Sequence, residues 1–231
     1  MTRKTNARLA GFMFLFYIAT GITNLVLFGK ATSGAEGTAA KLASIAQHAT
    51  TVRLTVLLTL CGFVSAVVLG VTLYALTRDE DRDLALLALC CRVTEGVIAA
   101  IAAVQTLQLL AIATAGPAAT ASDAAAANAL GGLLLQQGGW NSIAATCFVM
   151  GSTLFSYLFL RARSIPAPLA WLGLLASLLL VVALPLELAG VIRVSFFMWM
   201  PMLVFEVALA LWLLIKGVAM PPNRQSPPAH A

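Results

Sequence analysis

The sequence predicts an all-α fold, a polytopic membrane bundle of six transmembrane helices with short outer surface helices. Three observations carry that reading. Of 231 residues, 61% are hydrophobic and 10% charged, against roughly a quarter charged in an ordinary soluble domain. The apolar residues come in runs of about 20, enough to cross a hydrocarbon core about 30 Å thick. These runs are continuous rather than alternating, so the backbone satisfies itself as helix and not as closed barrel. The net charge of +5 points to orientation in a membrane rather than to nucleic acid, because the basic residues stand at the ends of the apolar runs.

The first span is expected over Leu9–Phe28, behind Arg3, Lys4 and Arg8. It is too long for the apolar region of a signal peptide and lacks a clean small-residue cleavage site, so it reads as an uncleaved span. Gly11, Gly21, Thr23 and Asn24 give it a close-packing, hydrogen-bonding side. Between Gly29 and Thr51 the chain turns polar and alanine-rich, and Ala39–Ala46 can form a short helix along the membrane surface. The second span, Leu54–Leu76, begins beside Arg53 and carries Thr55, Thr59, Gly62, Ala66 and Gly70 as a stripe of small and hydroxyl residues.

Arg78, Asp79, Glu80, Asp81, Arg82 and Asp83 form a dense charge cluster. Alternating signs in a short connection read as a solvated loop, with Asp83 or a neighbour favouring the next helix start through its dipole. The third span, Leu84–Ile112, holds Arg92 roughly 12 Å and Glu95 roughly 16 Å in from Leu84. At 100° per residue Arg92, Glu95, Ala99 and Thr106 share one side, with Gln105 and Gln108 further round.

From Ala113 to Gly139 there is no basic residue. Pro117 interrupts it, Ser122 or Asp123 is the expected cap, and Ala124–Leu135 is the expected surface helix. Gly131, Gly132, Gly138 and Gly139 read as loop punctuation. The fourth span is Trp140–Leu160, with Asn141, Ala145, Ser152 and Ser156 on a small polar side. The fifth, Leu169–Leu188, is interrupted by Pro185, and its Glu187 is an interfacial structural carboxylate for Arg193 or Arg53. The sixth, Phe196–Ile215, carries Glu206 roughly 15 Å in from Lys216, level with Glu95. Residues 1–220 read as a single membrane domain and 221–231 as a disordered tail.

Placing the N-terminus inside puts Arg3, Lys4, Arg8, Arg78, Arg82, Arg161, Arg163, Lys216 and Arg224 in the cytoplasm. Lys30, Lys41, Arg53 and Arg193 fall outside, a bias of nine against four that sets both termini cytoplasmic.

Arg53 at the second span, the stretch Cys91–Glu95 (CRVTE), the turn Arg163–Pro166 (RSIP), Leu169–Gly173 (LAWLG) and the ending Phe205–Gly217 occur in an order that resembles the bacterial membrane family catalogued as domain of unknown function 4386. The resemblance spans about Ala7 to Gly217. It implies a six-span fold in a bacterial plasma membrane, and no established activity. It also implies a histidine just before the fourth span, where Gln137 stands here.

The residues exclude several chemistries. His48 and His230 lie outside the spans and supply no axial pair for haem, no His/Cys cluster has zinc spacing, and no phosphate-binding glycine loop is present, so no metal or cofactor is expected. Cys61, Cys90, Cys91 and Cys147 lie in spans and read as reduced, packed thiols. Trp140 and Trp171 read as interfacial anchors. Arg92, Glu95 and Glu206 remain, with Thr106 as an added candidate and Arg53, Glu187 and Arg193 as an outer polar group. In the bland reading the first three fix helix register. In the functional one, two carboxyls and one guanidinium share a proton in a midplane cavity. Three classes follow: a small-molecule or proton-coupled carrier, an enzyme acting on a lipidic or isoprenoid substrate, and a noncatalytic bundle that binds lipid or a partner. The lipid bilayer is the expected surrounding, with a small-molecule or lipid ligand and no nucleic acid; the number of chains in the assembly is left open.

Overall fold

The structure, a computed structural model, describes residues 2–33, 36–115, 120–135 and 138–219. Pro117, Gln137 and the tail from 221 onward, with His230, lie outside the described residues, as do the side chains of Trp140 and Asn141. Among the described residues eight helices form: α1 Arg3–Thr32, α2 Thr38–Gln47, α3 Ala49–Thr77, α4 Arg82–Thr114, α5 Ala121–Leu135, α6 Gly138–Arg161, α7 Ala167–Leu188 and α8 Phe196–Ile215. Six of them, α1, α3, α4, α6, α7 and α8, are long and apolar enough to cross a membrane. The protein is a multi-pass membrane protein.

Hydrophobicity sets the number of spans, and local polar groups set their ends. Helix α1 starts six residues before its apolar run because the Thr2 side chain accepts from Thr5 N at 3.2 Å. Helix α4 starts where the Asp81 carboxylate accepts from Leu84 N at 3.1 Å, with Asp83 in the first turn. Helix α5 begins before the expected Ser122 or Asp123. The Thr120 hydroxyl accepts from Asp123 N while Asp123 accepts from Thr120 N, a reciprocal cap. Pro185 does not interrupt α7, which runs on to Leu188. Gly190, at φ +73°, then reverses the chain toward α8.

The spans close into a ring in chain order: α1 on α3, α3 on α4, α4 on α6, α6 on α7, α7 on α8, and α8 back on α1. Phe14, Leu73, Phe155, Phe159, Leu180, Met202, Phe205 and Leu209 fill its interior. Leu57, Val64, Leu175, Val182 and Val204 face outward, which costs nothing where the surroundings are lipid tails. Small residues set the closest approaches. Gly11 of α1 lies so near α8 that an added Cβ would stand 2.6 Å from the Ala210 carbonyl oxygen, and Gly173 of α7 receives the Phe205 ring.

One end of the ring gathers the charged connections. Arg161 bonds Glu80 at 2.8 Å and Asp81 at 3.5 Å, and Arg3 approaches Asp79 at 3.7 Å. Ala219 N donates to Ser164 O at 2.9 Å. The 78–83 cluster is therefore a clamp holding α1 and α6 to the α3–α4 turn, more than a solvated loop. Its pairs are part-exposed and each contributes roughly 0–1 kcal/mol. Residues 3 and 219 lie at this same end, as six crossings require.

The opposite end is covered by α2 and α5. They match the two expected short helices but pack on protein: Leu42 and Ile45 join Ala31, Val52, Leu109 and Leu110 in a second apolar cluster. Gly131 sits inside α5, where a Cβ would meet Leu42 at 2.9 Å. It serves close packing rather than loop punctuation. Gly132, Gly138 and Gly139 are helical too.

Gly11→Ala is expected to lower the melting temperature of the detergent-solubilised protein, because backbone atoms must move, at a cost of about 1–3 kcal/mol. Gly29→Ala, whose Cβ would meet nothing within 4 Å, is expected to leave it unchanged or raise it.

Candidate functional site

Arg92 and Glu95 stand three residues apart on α4, so their side chains leave the same face. That face is turned into the ring. Arg92 is 1% and Glu95 4% exposed, and Arg92 Nη1 lies 2.8 Å from Glu95 Oε2. The N–H groups are not aimed at the carboxylate well enough to count as hydrogen bonds. The contact is an ion pair held by position. Tyr17 of α1 supplies the directed bond, its hydroxyl donating to Glu95 Oε1 at 2.5 Å.

The neighbours make room for the guanidinium. Its carbon lies 5.2 Å from the Tyr17 ring centroid and 4.9 Å from that of Phe148 on α6, a cation held between two π faces. Along its stem both adjoining helices present glycine. A Cβ at Gly70 of α3 would stand 3.0 Å from Arg92 Cβ, and one at Gly151 of α6 would stand 3.4 Å from Arg92 Cδ. A buried charge of this kind persists only with its counter-charge beside it.

Glu206 comes from α8, which is not a ring neighbour of α4. It is 6% exposed, and its Oε1 has no hydrogen-bond partner. Glu206 and Glu95 line one cavity of about 550 Å³, together with Tyr17, Phe148, Trp199 and Met202. The structure thus brings Glu95 and Glu206 around one space, with Arg92 paired to Glu95 just off its wall.

Residues 9–217 match the family described as Domain of unknown function (DUF4386). The chain belongs to the DUF4386 family. No curated protein and no solved structure matches it. The matched stretch of this DUF4386 chain contains every residue of the cluster, from Tyr17 to Glu206.

Two further spaces lie beside the first in the DUF4386 fold. One of about 130 Å³ sits behind Glu95, against Thr20, Asn24 and Phe63. It shares Tyr17, Glu95 and Ala99 with the large cavity. Another of about 500 Å³, nearer α5, is lined by Asn24, Thr55, Gln105 and Thr106. Thr106 is therefore not part of the carboxyl cluster. Eleven residues beyond Glu95 place it roughly 16 Å along α4, and its hydroxyl donates to Ala102 O at 3.1 Å. Toward the charged end the ring is filled: Phe14, Phe155, Phe159 and Phe205 surround a void of about 10 Å³ beneath Arg92.

The outer polar group resolves differently from expectation. Glu187 Oε1 accepts from Val194 N at 2.9 Å, and Oε2 accepts from Ser142 Oγ at 3.5 Å. It ties the α7–α8 turn to α6. Arg53 and Arg193 are exposed, and among the described residues neither forms an ion pair with it. A backbone N–H seven residues on reaches the carboxylate at no entropic cost to a long side chain, so it wins over either arginine. The four cysteines are free thiols, with Cys61 and Cys90 exposed on the outside of the ring rather than packed.

Sequence reasoning missed Tyr17, Phe148 and Trp199. The available signal was Tyr17, a phenol near the middle of an apolar run, where its hydroxyl must find an acceptor. Replacing Arg92 alone by Met strands Glu95 and is expected to cost about 3–5 kcal/mol, whereas Arg92→Met combined with Glu95→Leu recovers much of the loss. Thermal melts of the two variants in one detergent check the order.

Proposed function

We propose that this protein is a proton-coupled carrier or binder of a small molecule, set in a bacterial plasma membrane as one unit over residues 1–220, with both termini cytoplasmic. The observation that carries the reading is the unpartnered, buried Glu206 oxygen on a cavity shared with Glu95. With both carboxyls ionised, Arg92, Glu95 and Glu206 sum to one negative charge in a dry site. That state is costly until a proton or a ligand group joins it. Glu95 already has Arg92 and Tyr17 as partners, so Glu206 is the group that exchanges.

Asymmetry along the ring supports transfer rather than register-keeping. The charged end is plugged by phenylalanines, while polar spaces that share lining residues with the site lie toward the other end. Nine basic residues against four set the plugged end in the cytoplasm. This is the arrangement of a carrier resting with its site turned outward.

Proteoliposomes loaded with a pH dye are expected to respond to an added substrate found by native mass spectrometry of the purified protein. Glu206→Gln is expected to slow that response about tenfold or more, the loss of at least roughly 1.4 kcal/mol. A Glu206→Gln variant with the wild-type response removes the proposal.

A further inference from the structure

We infer that the ligand of the large cavity is a lipophilic cation, an amine or onium group on an apolar body; the inference rests on the carrier reading above and gives its substrate class. The polar side-chain groups that line this space are the carboxyls of Glu95 and Glu206, the Tyr17 phenol and the Trp199 indole N–H. Arg92 is not on its wall: the guanidinium borders the small void beneath, with Ser152 and Ser156. An acceptor or anion entering the cavity meets two neutral donor groups at most, the Trp199 indole N–H and the Tyr17 hydroxyl, and the second is spent on Glu95. It would also stand against a carboxyl with a free oxygen, and like charges in a dry site repel strongly.

A cation meets the opposite conditions. Glu206 shares the space with Tyr17 of α1, Glu95 of α4 and Trp199 of its own helix, and Arg92 stands paired with Glu95 just off the wall. One positive and two negative charges leave a single negative charge for a monovalent cation to neutralise. The walls add aromatic faces. Trp199 stacks on Phe148 with centroids 6.4 Å apart, and Tyr17 and Phe196 line the same space. Aromatic faces around a buried carboxylate favour quaternary ammonium groups, which have no N–H to satisfy, and tertiary ones, whose single N–H can donate to the free Glu206 oxygen.

The body of the ligand is apolar by the same reasoning. Leu25, Ala144, Met202 and Leu203 complete the lining, and about 550 Å³ suits a compact organic molecule, since ligand pockets run roughly 300–1,000 Å³. The rim points the same way. Ile22, Leu25 and Phe196 are 53%, 74% and 69% exposed on a helix pair whose tight crossing, at Gly11, lies toward the charged end. A molecule that passes this rim slides over hydrocarbon.

Tetraphenylphosphonium and tetraphenylborate test the idea, because they share four phenyl rings and differ in sign. Each is titrated calorimetrically into the full chain in an uncharged maltoside detergent, with the titration into empty micelles subtracted. One tetraphenylphosphonium per chain is expected, bound at least about tenfold more tightly than tetraphenylborate. Glu206→Gln is expected to erase the preference, Glu206→Asp to keep it, and Trp199→Ala to weaken cation binding with the charge intact. Melting curves establish that each variant is folded, and if Glu206→Gln is not, the wild-type preference decides alone. Equal or tighter binding of the borate, or a preference that survives Glu206→Gln, overturns the inference. If the vesicle response still needs Glu206 while the borate is preferred, the substrate class falls and the carrier reading stands. Selective phosphonium binding with a vesicle response indifferent to Glu206 does the reverse.

Discussion

The ion pair between Arg92 and Glu95 is the constraint to which the rest of the ring is fitted. Two opposite charges in the middle of an apolar bundle survive only at close range and with their remaining faces covered. Each neighbouring helix meets one of those demands. Helix α3 yields space through Gly70 and α6 through Gly151, α1 brings the Tyr17 hydroxyl, and Phe148 closes the guanidinium from the other side. A Cβ at Gly70 would press on the Arg92 stem at 3.0 Å, and one at Gly151 would press on Ala88 O and Cys91 Cβ at 3.2 Å, so either pushes against α4 where it carries the pair. The helices pack as they do because Arg92 has to fit between them.

That fit divides the interior in two. Toward the charged end lie phenylalanines, leucines and a void about large enough for one water. Toward the other end the packing gives way to cavities, with Glu206 and Glu95 at the boundary. The close crossing of α1 and α8 at Gly11 belongs to the filled half. One bundle thus holds a dense half and a hollow half, the first closely packed and the second open enough to leave cavities among its helices.

The sequence made the costly features legible and the cheap ones obscure. A charge in an apolar run has few excuses, so Arg92, Glu95 and Glu206 stood out, and counting 1.5 Å per residue put the two glutamates at matching depth. Aromatic residues fit core, interface and lipid alike, so nothing in the chain distinguished Phe148 or Trp199 as cavity walls. Helical rotation gives direction and ignores height, so Thr106 shares a side with Glu95 in the sequence yet lies in another space. Glu187 looked like a partner for arginine because sequence reveals charges more readily than the backbone N–H of Val194. The helix ends moved for a related reason: Thr120 caps α5 through a hydrogen bond that hydropathy does not register. The six spans and the family emerged intact, since both rest on long-range pattern and survive errors of a few residues.

The ring closes through a single seam, α8 returning to α1, while the other extensive contacts between spans join neighbours in order along the chain. Ribosomes deliver those neighbours one after another, so each helix finds its predecessor waiting until α7 is in place. At that moment the assembly is an open crescent, with Tyr17 and Glu95 turned toward a gap that α8 has yet to occupy. By then α1 and α6 already cover Arg92, so what the last span adds is the far wall of the cavity, with Glu206, Trp199 and Met202, and until it arrives that hollow stands open to lipid.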